Sequence, residues 1–171
     1  MAKCLVAFYS RADENYVSGT IRNLKIGNTE RAAKVIGNLV GADMFKIEQA
    51  EPYSKIYNEC IEQARKDQRE NARPALLQYP KSLDEYDKSD LGFPNYWSTM
   101  PMAVFTFLEK FDFSGKTVYP FCTHEGSGMG SSLSDIKKLC PKAQIKQGLA
   151  LHGGSVEQAK DKIENWVKQD K

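Results

Sequence analysis

The sequence predicts an α/β fold in which five parallel strands form one sheet with helices on both faces. Strand patterns and helix patterns alternate along the whole chain, without an internal repeat or a low-complexity linker. Such alternation is typical of parallel strands joined by right-handed helical crossovers. The 171 residues suffice for one domain with a substantial core and are too few for two ordinary ones. We therefore expect a single domain over residues 1–171.

The first half of the chain supplies two strands and two helices. Residues 4–9 are an uninterrupted apolar run, which suits a strand covered on both faces. A polar stretch at 11–26 leads into a helical pattern that Gly41 ends. Residues 44–47 alternate as a short edge strand does. Residues 52–71 then form a second helical segment.

Polar residues precede the predicted third strand. Residues 91–94 look like the end of this strand, but Lys88-Ser89-Asp90 stand where an apolar opening is expected. Because buried charges are costly, we expect the strand to begin near Leu91.

The remaining elements continue the alternation of helix and strand. They are a helix over 104–108, a strand over 117–122, a helix over 133–140, a strand over 145–151 and an amphipathic helix over 156–167.

Composition argues against several classes of function. Hydrophobic residues make up 41% and charged residues 27%, a balance typical of globular proteins. The net charge of +2 gives no sign of a surface for nucleic acid or membranes. No segment approaches the apolar length that spans a bilayer. The N-terminal apolar run has no small-residue cleavage site behind it, so it predicts a strand rather than a signal peptide, and we expect a cytoplasmic location.

The four cysteines are widely scattered. None is spaced as a CxxC pair or with a histidine as a metal site requires, so no metal is predicted. We expect Cys4, Cys60, Cys122 and Cys140 to be buried, reduced and part of the core.

Three segments that follow predicted strands are candidates for a site, because ligands of parallel sheets bind at the carboxyl ends of strands. The first is Ser10 together with Gly27-Asn28-Thr29 at the start of a helix. Helix N-termini attract anions, although helix capping by Asn28 or Thr29 explains the same residues. The chain has neither GxxxxGK[ST] nor GxGxxG, so a triphosphate loop and a dinucleotide fingerprint are disfavoured.

The second segment is the loop over residues 94–101, with sequence PNYWSTMP. Its adjacent rings, Tyr96 and Trp97, lie between two prolines and offer a rigid apolar surface for a flat ligand. Either ring could instead pack into the core. We do not expect two adjacent rings to be buried in one direction.

The third segment is the loop over residues 123–130, with sequence THEGSGMG. Its glycines permit close approach of the backbone to a ligand, and a flexible surface turn is the alternative. His124 and Glu125 are assigned to the neighbourhood of a ligand, and no side chain is assigned a catalytic role.

With these three loops, the sequence resembles the flavodoxin family, in particular flavodoxin-like proteins with a lengthened first loop. The segments that carry the resemblance are 9–15, 27–30, 92–97 and 121–128, in the order of the family and over most of the chain. The resemblance implies a three-layer sandwich with strand order 2-1-3-4-5, FMN as cofactor and electron transfer between redox proteins.

The resemblance also implies where FMN binds. Ser10 and residues 27–29 would hold the phosphate, residues 94–99 would wrap one side of the isoalloxazine with Tyr96 or Trp97 stacked on it, and residues 123–128 would cover the other edge. The implied contacts are Ser10, Arg11, Gly27, Asn28, Thr29, Pro94, Asn95, Tyr96, Trp97, Ser98, Thr99, Thr123, His124, Glu125, Gly126, Ser127 and Gly128.

Two further features depart from the family, besides the polar opening of the third strand. The segment over 11–26 is longer than a compact phosphate loop, so it must fold out and return as a lid or a partner surface. Many flavodoxins are strongly acidic and dock on basic partners, whereas this chain carries a net charge of +2. A local acidic rim is expected from Asp13, Glu14, Asp87, Asp90 and Glu125.

Three functions remain open from the sequence. The first is an electron carrier that serves an unidentified reductase and acceptor as a monomer or weak dimer. The second is an NAD(P)H-dependent flavin or quinone reductase, which the weak acidity and the long first loop favour. The third is a flavin-free signalling or interaction domain, since one scaffold hosts many functions.

Overall fold

The computed structural model describes residues 3–170, which form eight strands, five α-helices and one 3₁₀ helix. The strands are β1 (Lys3–Phe8), β2 (Asp13–Val17), β3 (Thr20–Leu24), β4 (Asp43–Lys46), β5 (Tyr86–Pro94), β6 (Thr117–His124), β7 (Gln144–Ile145) and β8 (Leu149–His152). The helices are α1 (Asn28–Val40), α2 (Tyr57–Arg69), α3 (Met102–Lys110), α4 (Ser132–Leu139) and α5 (Lys160–Asp170), with the 3₁₀ helix over Gly153–Gln158.

Six strands form one sheet in the order β4-β1-β5-β6-β7, with β8 also paired to β6. All of these pairings are parallel. The predicted order 2-1-3-4-5 is confirmed, because β4 is the predicted second strand, β1 the first, β5 the third and β6 the fourth. The predicted fifth strand is divided into β7 and β8. Between them the chain leaves the ladder, and the carbonyl of Gln147 accepts a hydrogen bond from the indole of Trp166.

Helices cover both faces of the sheet, and β1 shows why. Its alternate residues Val6 and Phe8 pack under α1 and α5, while Leu5 and Ala7 join the core on the other side, beneath α3 and α4. A strand buried on both faces needs apolar residues at every position, as the sequence pattern indicates. The helix α2 lies beside α3 and next to β2.

The prediction that the third strand begins near Leu91 is wrong. The strand β5 begins at Tyr86, and Lys88-Ser89-Asp90 pair with β1 on one side and β6 on the other. Asp90 is fully buried inside the sheet, so it does not contribute to an acidic rim. Backbone hydrogen bonds to β1 and β6 hold this strand on both sides. Their stabilisation outweighs the cost of burying the polar side chains.

Three smaller predictions need correction. The second helix begins at Tyr57 rather than near residue 52, because the Tyr57 N–H is capped by the Glu14 carboxylate at 2.8 Å. The C-terminal helical pattern is a 3₁₀ helix followed by α5 from Lys160. Cys60, Cys122 and Cys140 are buried as predicted, but Cys4 is only partly buried, since it lies near the amino end of β1 where the sheet begins.

The segment over 11–26 contains an antiparallel hairpin, β2-β3, which forms a second sheet. Its tip has Ser18 and Gly19 with φ of +51° and +88°, as in the two-residue turns that suit the twist of a hairpin. An isolated two-stranded hairpin is marginal in water, so its attachments to the rest of the protein decide its position.

Within residues 3–170, no helix is both long and apolar enough to cross a bilayer. The same part of the chain has no group of three histidine, cysteine or acidic side chains placed to hold a metal ion.

Candidate functional site

A cavity of about 400 Å³ opens at the carboxyl ends of β1, β5 and β6. This volume lies within the usual range for small-molecule sites. Most of the residues predicted to bind a ligand line it. They are Arg11, Asn28, Thr29, Pro94, Asn95, Tyr96, Trp97, Ser98, Thr123, His124, Glu125 and Ser127.

The other predicted residues lie behind this lining and support it. Thr99 is buried, and its hydroxyl donates to the Asp135 carboxylate at 2.5 Å. The Gly128 carbonyl accepts a hydrogen bond from the Asn95 amide at 2.9 Å, and the Gly126 N–H donates to His124 Nδ1 at 2.9 Å. Ser10 and Gly27 form the turn at the start of α1.

The turn at the start of α1 is closed by a contact between Ser10 and Gly27. A Cβ on Gly27 would lie 2.2 Å from Ser10 Oγ and 2.4 Å from the Arg11 carbonyl oxygen, so only glycine fits. Gly27 caps α1 without a side-chain hydrogen bond, and Ser10 Oγ accepts from the Glu30 N–H at 3.0 Å. This leaves the first N–H groups of α1 at an end where the helix dipole favours an anion.

The turn is anchored to the neighbouring strand by two hydroxyl groups. The hydroxyls of Thr29 and Thr123 are 2.7 Å apart and buried. Because Thr123 lies near the end of β6, this bond joins the first and third predicted loops at the same edge of the sheet.

Tyr96 and Trp97 point in different directions. The Tyr96 ring meets Tyr9 edge-on at 5.8 Å, and its hydroxyl is buried without a hydrogen-bond partner among the described residues. Burial raises the pKa of this hydroxyl well above its usual value, so the phenol is neutral. Trp97 is 38% exposed, and its indole N–H donates to the Ile61 carbonyl at 2.8 Å. The guanidinium of Arg65 lies 4.5 Å from its ring centroid.

The backbone that carries Trp97 is strained and strongly held. Trp97 and Ser98 have φ of +51° and +72°, between Tyr96 and Thr99, which pair across the turn. Residues other than glycine seldom adopt this conformation. Asn95 Oδ1 accepts from the Ser98 N–H, and the Ser98 carbonyl accepts from the Ser131 N–H at 2.7 Å. These bonds fix the direction of the Trp97 ring.

The third predicted loop brings a carboxylate and two imidazoles together. Glu125 Oε2 accepts from the Ser18 N–H at 3.1 Å and lies 3.4 Å from His152 Nε2, while its Oε1 is buried without a hydrogen-bond partner among the described residues. The rings of His124 and His152 are 5.8 Å apart. Burial, and then the nearby charge of His152, lower the pKa of His124 from 6.5. The lowered pKa favours the neutral form of the His124 imidazole.

Sequence reasoning missed a second wall of the cavity. The hairpin side adds Asn15 and Tyr16, the helix α2 adds a stripe of side chains, and one residue comes from the 3₁₀ helix. These missed residues are Asn15, Tyr16, Tyr57, Cys60, Ile61, Ala64 and Gly153. The spacing from Tyr57 through Ile61 to Ala64 is that of one helix face, which was the available signal for the α2 part.

The hairpin is attached at both ends. Near its base, the Arg11 guanidinium donates to the carbonyls of Glu14 and Lys55 at 2.9 and 3.0 Å. Closer to its tip, Tyr16 stacks on Tyr57 with centroids 6.1 Å apart. At its tip, Ser18 is held by Glu125. The hairpin thus runs across one side of the cavity, from α2 to the loop after β6.

Comparisons with solved structures give several close likenesses. A candidate flavoprotein from Bacteroides uniformis is 30% identical, with 98% of this chain and 99% of that chain covered and a TM-score of 0.77. A second candidate flavoprotein, from Bacteroides eggerthii, is 29% identical over 96% of this chain and 99% of that chain, with a TM-score of 0.73. A Lactobacillus acidophilus flavoprotein in complex with FMN has the same fold at 15% identity, a TM-score of 0.64 and coverage of 92% and 98%.

Sequence comparisons add a family. No curated protein sequence matches the chain. A family model described as Flavodoxin matches residues 21–170, which is most of the sequence and includes two of the three predicted loops in full. With the parallel sheet, the strand order and the cavity at the carboxyl edge, this match shows that the chain belongs to the flavodoxin family.

Proposed function

We propose that this protein binds FMN and carries electrons between redox partners through it. One observation carries the proposal: the start of α1, where the helix dipole favours an anion, and a fixed indole ring border the same cavity. FMN combines a phosphate with a large flat ring, so it needs both kinds of surface. The flavoprotein from Lactobacillus acidophilus with FMN has the same fold, which supports this cofactor.

The start of α1 fits the phosphate of FMN. The missing side chain of Gly27 keeps the turn closed, and Asn28 and Thr29 border the cavity with the first N–H groups of the helix. Phosphates bind at such helix ends because unpaired N–H groups and the helix dipole both favour negative charge. Ser10 would hold the turn through its bond to the Glu30 N–H.

The opposite part of the cavity fits the isoalloxazine ring. Trp97 is oriented by its bond to Ile61, and Arg65 lies over its ring, so Trp97 offers a fixed stacking surface. Glu125 lines the cavity and its Oε1 is buried without a hydrogen-bond partner in residues 3–170, so a hydrogen-bond donor on the ligand would satisfy it. When bound, FMN would supply the capacity to accept and release electrons.

The choice between a carrier and a reductase rests on the outer side of the cavity. The partial exposure of Trp97 supports a carrier, because electrons can pass from the ring to a docked protein at the surface. The hairpin, in contrast, favours a reductase. By adding Arg11, Asn15 and Tyr16 to the lining, it makes a wall against which a small substrate could bind.

The first experiment is an absorption spectrum of the purified protein, repeated after FMN is added and the excess removed. Two flavin bands that stay with the protein are expected. A colourless protein that does not retain FMN would contradict the proposal and favour the flavin-free interaction domain.

A second experiment separates the two redox functions. The FMN-loaded protein is mixed with NADPH and a quinone, without a separate reductase. For a carrier we expect negligible NADPH oxidation, and fast reduction only when a flavin-reducing protein is added. Steady oxidation of NADPH by the protein alone would assign it as a reductase.

A further inference from the structure

Arg11 is a cation that lines the cavity and has no carboxylate partner in the described part of the chain, residues 3–170. Its Nε donates to the Glu14 carbonyl and its Nη2 to the Lys55 carbonyl, and among residues 3–170 its guanidinium forms no ion pair. Arg11 is partly buried and lines the cavity. A charge removed from water is costly unless it is paired, so its position indicates that a ligand supplies negative charge.

The guanidinium of Arg11 lies at the α2 side of the cavity. Its Nη2 donates to the Lys55 carbonyl, two residues before α2 begins at Tyr57. The same helix lines the cavity, and the carbonyl of its Ile61 accepts from the Trp97 indole. Arg11 is therefore on the side of the cavity where the ring of a flavin would bind.

Other charged groups near this part of the cavity are already engaged. The Glu14 carboxylate accepts from the Tyr57 N–H, and the Asp67 carboxylate from the Tyr53 hydroxyl at 2.5 Å. Glu125, at the other end of the hairpin, accepts from Ser18 and lies beside His152. Arg11 is held by two neutral carbonyls from separate segments, so its charge is fixed in position before any ligand binds.

We infer that Arg11 stabilises the negative charge that the flavin ring carries after reduction, and so raises the reduction potential of the bound cofactor. The inference rests on the proposed function. Uptake of two electrons and one proton from a reduced protein or a reduced nicotinamide nucleotide leaves one net negative charge on the ring. Without a nearby cation, a second proton must accompany the two electrons to avoid that charge. Charge near the ring is one of the means by which a protein sets flavin electronics.

The test compares the affinities of oxidised and reduced FMN in the wild type and in Arg11→Gln. The dissociation constant of oxidised FMN is measured by titration, and the two-electron potential by anaerobic reduction with dithionite and a reference dye. We expect Arg11→Gln to weaken the binding of reduced FMN at least tenfold more than that of oxidised FMN, which lowers the potential by at least about 30 mV. The slope of the potential against pH should show more protons per electron pair in the variant.

Three control variants separate charge from structure. Arg11→Lys keeps the charge and should retain most of the potential. Glu14→Gln weakens the attachment of the hairpin to α2 but removes a negative charge, so it should leave the potential unchanged or raise it. Arg73→Gln removes a cation that is paired with Glu109 outside the cavity and should change nothing.

Several outcomes would overturn the inference. They are an unchanged potential in Arg11→Gln, an equal loss of affinity for oxidised and reduced FMN, a fall of the potential in Glu14→Gln, or a fall in Arg11→Lys as large as in Arg11→Gln. An equal loss would assign Arg11 to a group whose charge is constant, such as the phosphate, while leaving FMN binding intact as a function. A wild-type protein that retains no FMN would contradict both the proposed function and this inference.

Discussion

The cavity wall made by the strand-end loops and the wall made by the hairpin and α2 are held in different ways. In the first, Thr29, Asn95 and Ser98 are tied directly to the sheet or to neighbouring loops by short hydrogen bonds, to Thr123, Gly128 and Ser131 respectively. In the second, the hairpin forms a sheet of its own and meets the rest through a few side chains, such as Glu14 and Tyr16. The first wall is thus part of the fold, and the second is attached to it.

This difference predicts that loss of a turn or a ring from the first wall weakens FMN binding more than loss of a ring from the second. Local stability in a protein follows the number of buried contacts and protected hydrogen bonds, and mobile loops are drawn from the less stable end. Protonation of one side chain in the first wall, which removes a single hydrogen bond and leaves the wall in place, should have the smallest effect.

The largest effect is expected for Gly27→Ala. The added Cβ would overlap Ser10 Oγ and the Arg11 carbonyl oxygen, so the turn at the start of α1 must open. We expect FMN affinity to fall about a hundredfold, or roughly 2.8 kcal/mol, as measured by fluorescence titration. Gly41→Ala is the control. It strains the left-handed cap of α1 without a clash, and should lower stability by about 1 kcal/mol while FMN affinity stays unchanged.

Trp97→Ala is expected to have the next largest effect. Loss of a stacking surface costs about 1–3 kcal/mol for a flat base, so FMN affinity should fall about tenfold and the flavin potentials should shift. Trp97→Phe keeps an aromatic ring but loses the hydrogen bond to Ile61, so its FMN affinity should lie between those of the wild type and Trp97→Ala. Unchanged affinity and potentials in Trp97→Ala would remove Trp97 from the site.

Tyr16→Ala tests the second wall and should have a smaller effect. Tyr16 is 44% exposed and contacts Tyr57 through stacking, so its removal loosens the hairpin without exposing a core. We expect about threefold faster release of FMN in stopped-flow displacement, about 0.6 kcal/mol, and an unchanged thermal midpoint. A loss as large as that of Trp97→Ala would show that the hairpin is as much a part of the site as the strand-end loops.

The smallest effect is expected from protonation of His124. Its pKa is lowered from 6.5 by burial and then by His152, so the unfolded chain takes up a proton before the folded protein does. The stability that neutral His124 contributes is present above pH 6.5 and is lost as the pH falls through the lowered pKa. Protonation also removes the acceptor of the Gly126 N–H, so FMN affinity should fall about twofold as the pH drops through the lowered pKa of His124.

Urea unfolding and FMN titration over a series of pH values below 7.5 check this prediction. His124→Gln should show a weaker dependence on pH than the wild type in both measurements. An identical dependence in the variant would assign the effect to another group, and His152→Gln then tests the neighbouring imidazole.

The sheet and the first wall were predictable because both follow from strong local patterns. The apolar run at 4–9 and the helical spacing after Gly27 fix strand and helix types, and the edge of the sheet follows from their alternation. The start of β5 was not predictable, because Lys88, Ser89 and Asp90 conflict locally with a strand that pairing on both sides imposes.

The second wall could not be predicted from the sequence, for a different reason. The β2 and β3 sequences, DENYV and TIRNL, alternate only weakly, and Ser18-Gly19 was the one strong turn signal between them. The contact of Tyr16 with Tyr57 joins residues 41 positions apart, and no local pattern specifies it. Side chains on α2 could be assigned to one face from their spacing, but not to a cavity.

The contact between Ser10 and Gly27 means that the hairpin is inserted at a point where its two ends already touch. The crossover from β1 to α1 has the same geometry whatever lies between these residues, so the length of the insertion places no demand on the sheet. The entropy of closing such a loop rises only slowly with its length. The segment from 12 to 25 is therefore a module that can be shortened or exchanged, with the dimensions of the cavity changing while the strand order and both cores stay the same.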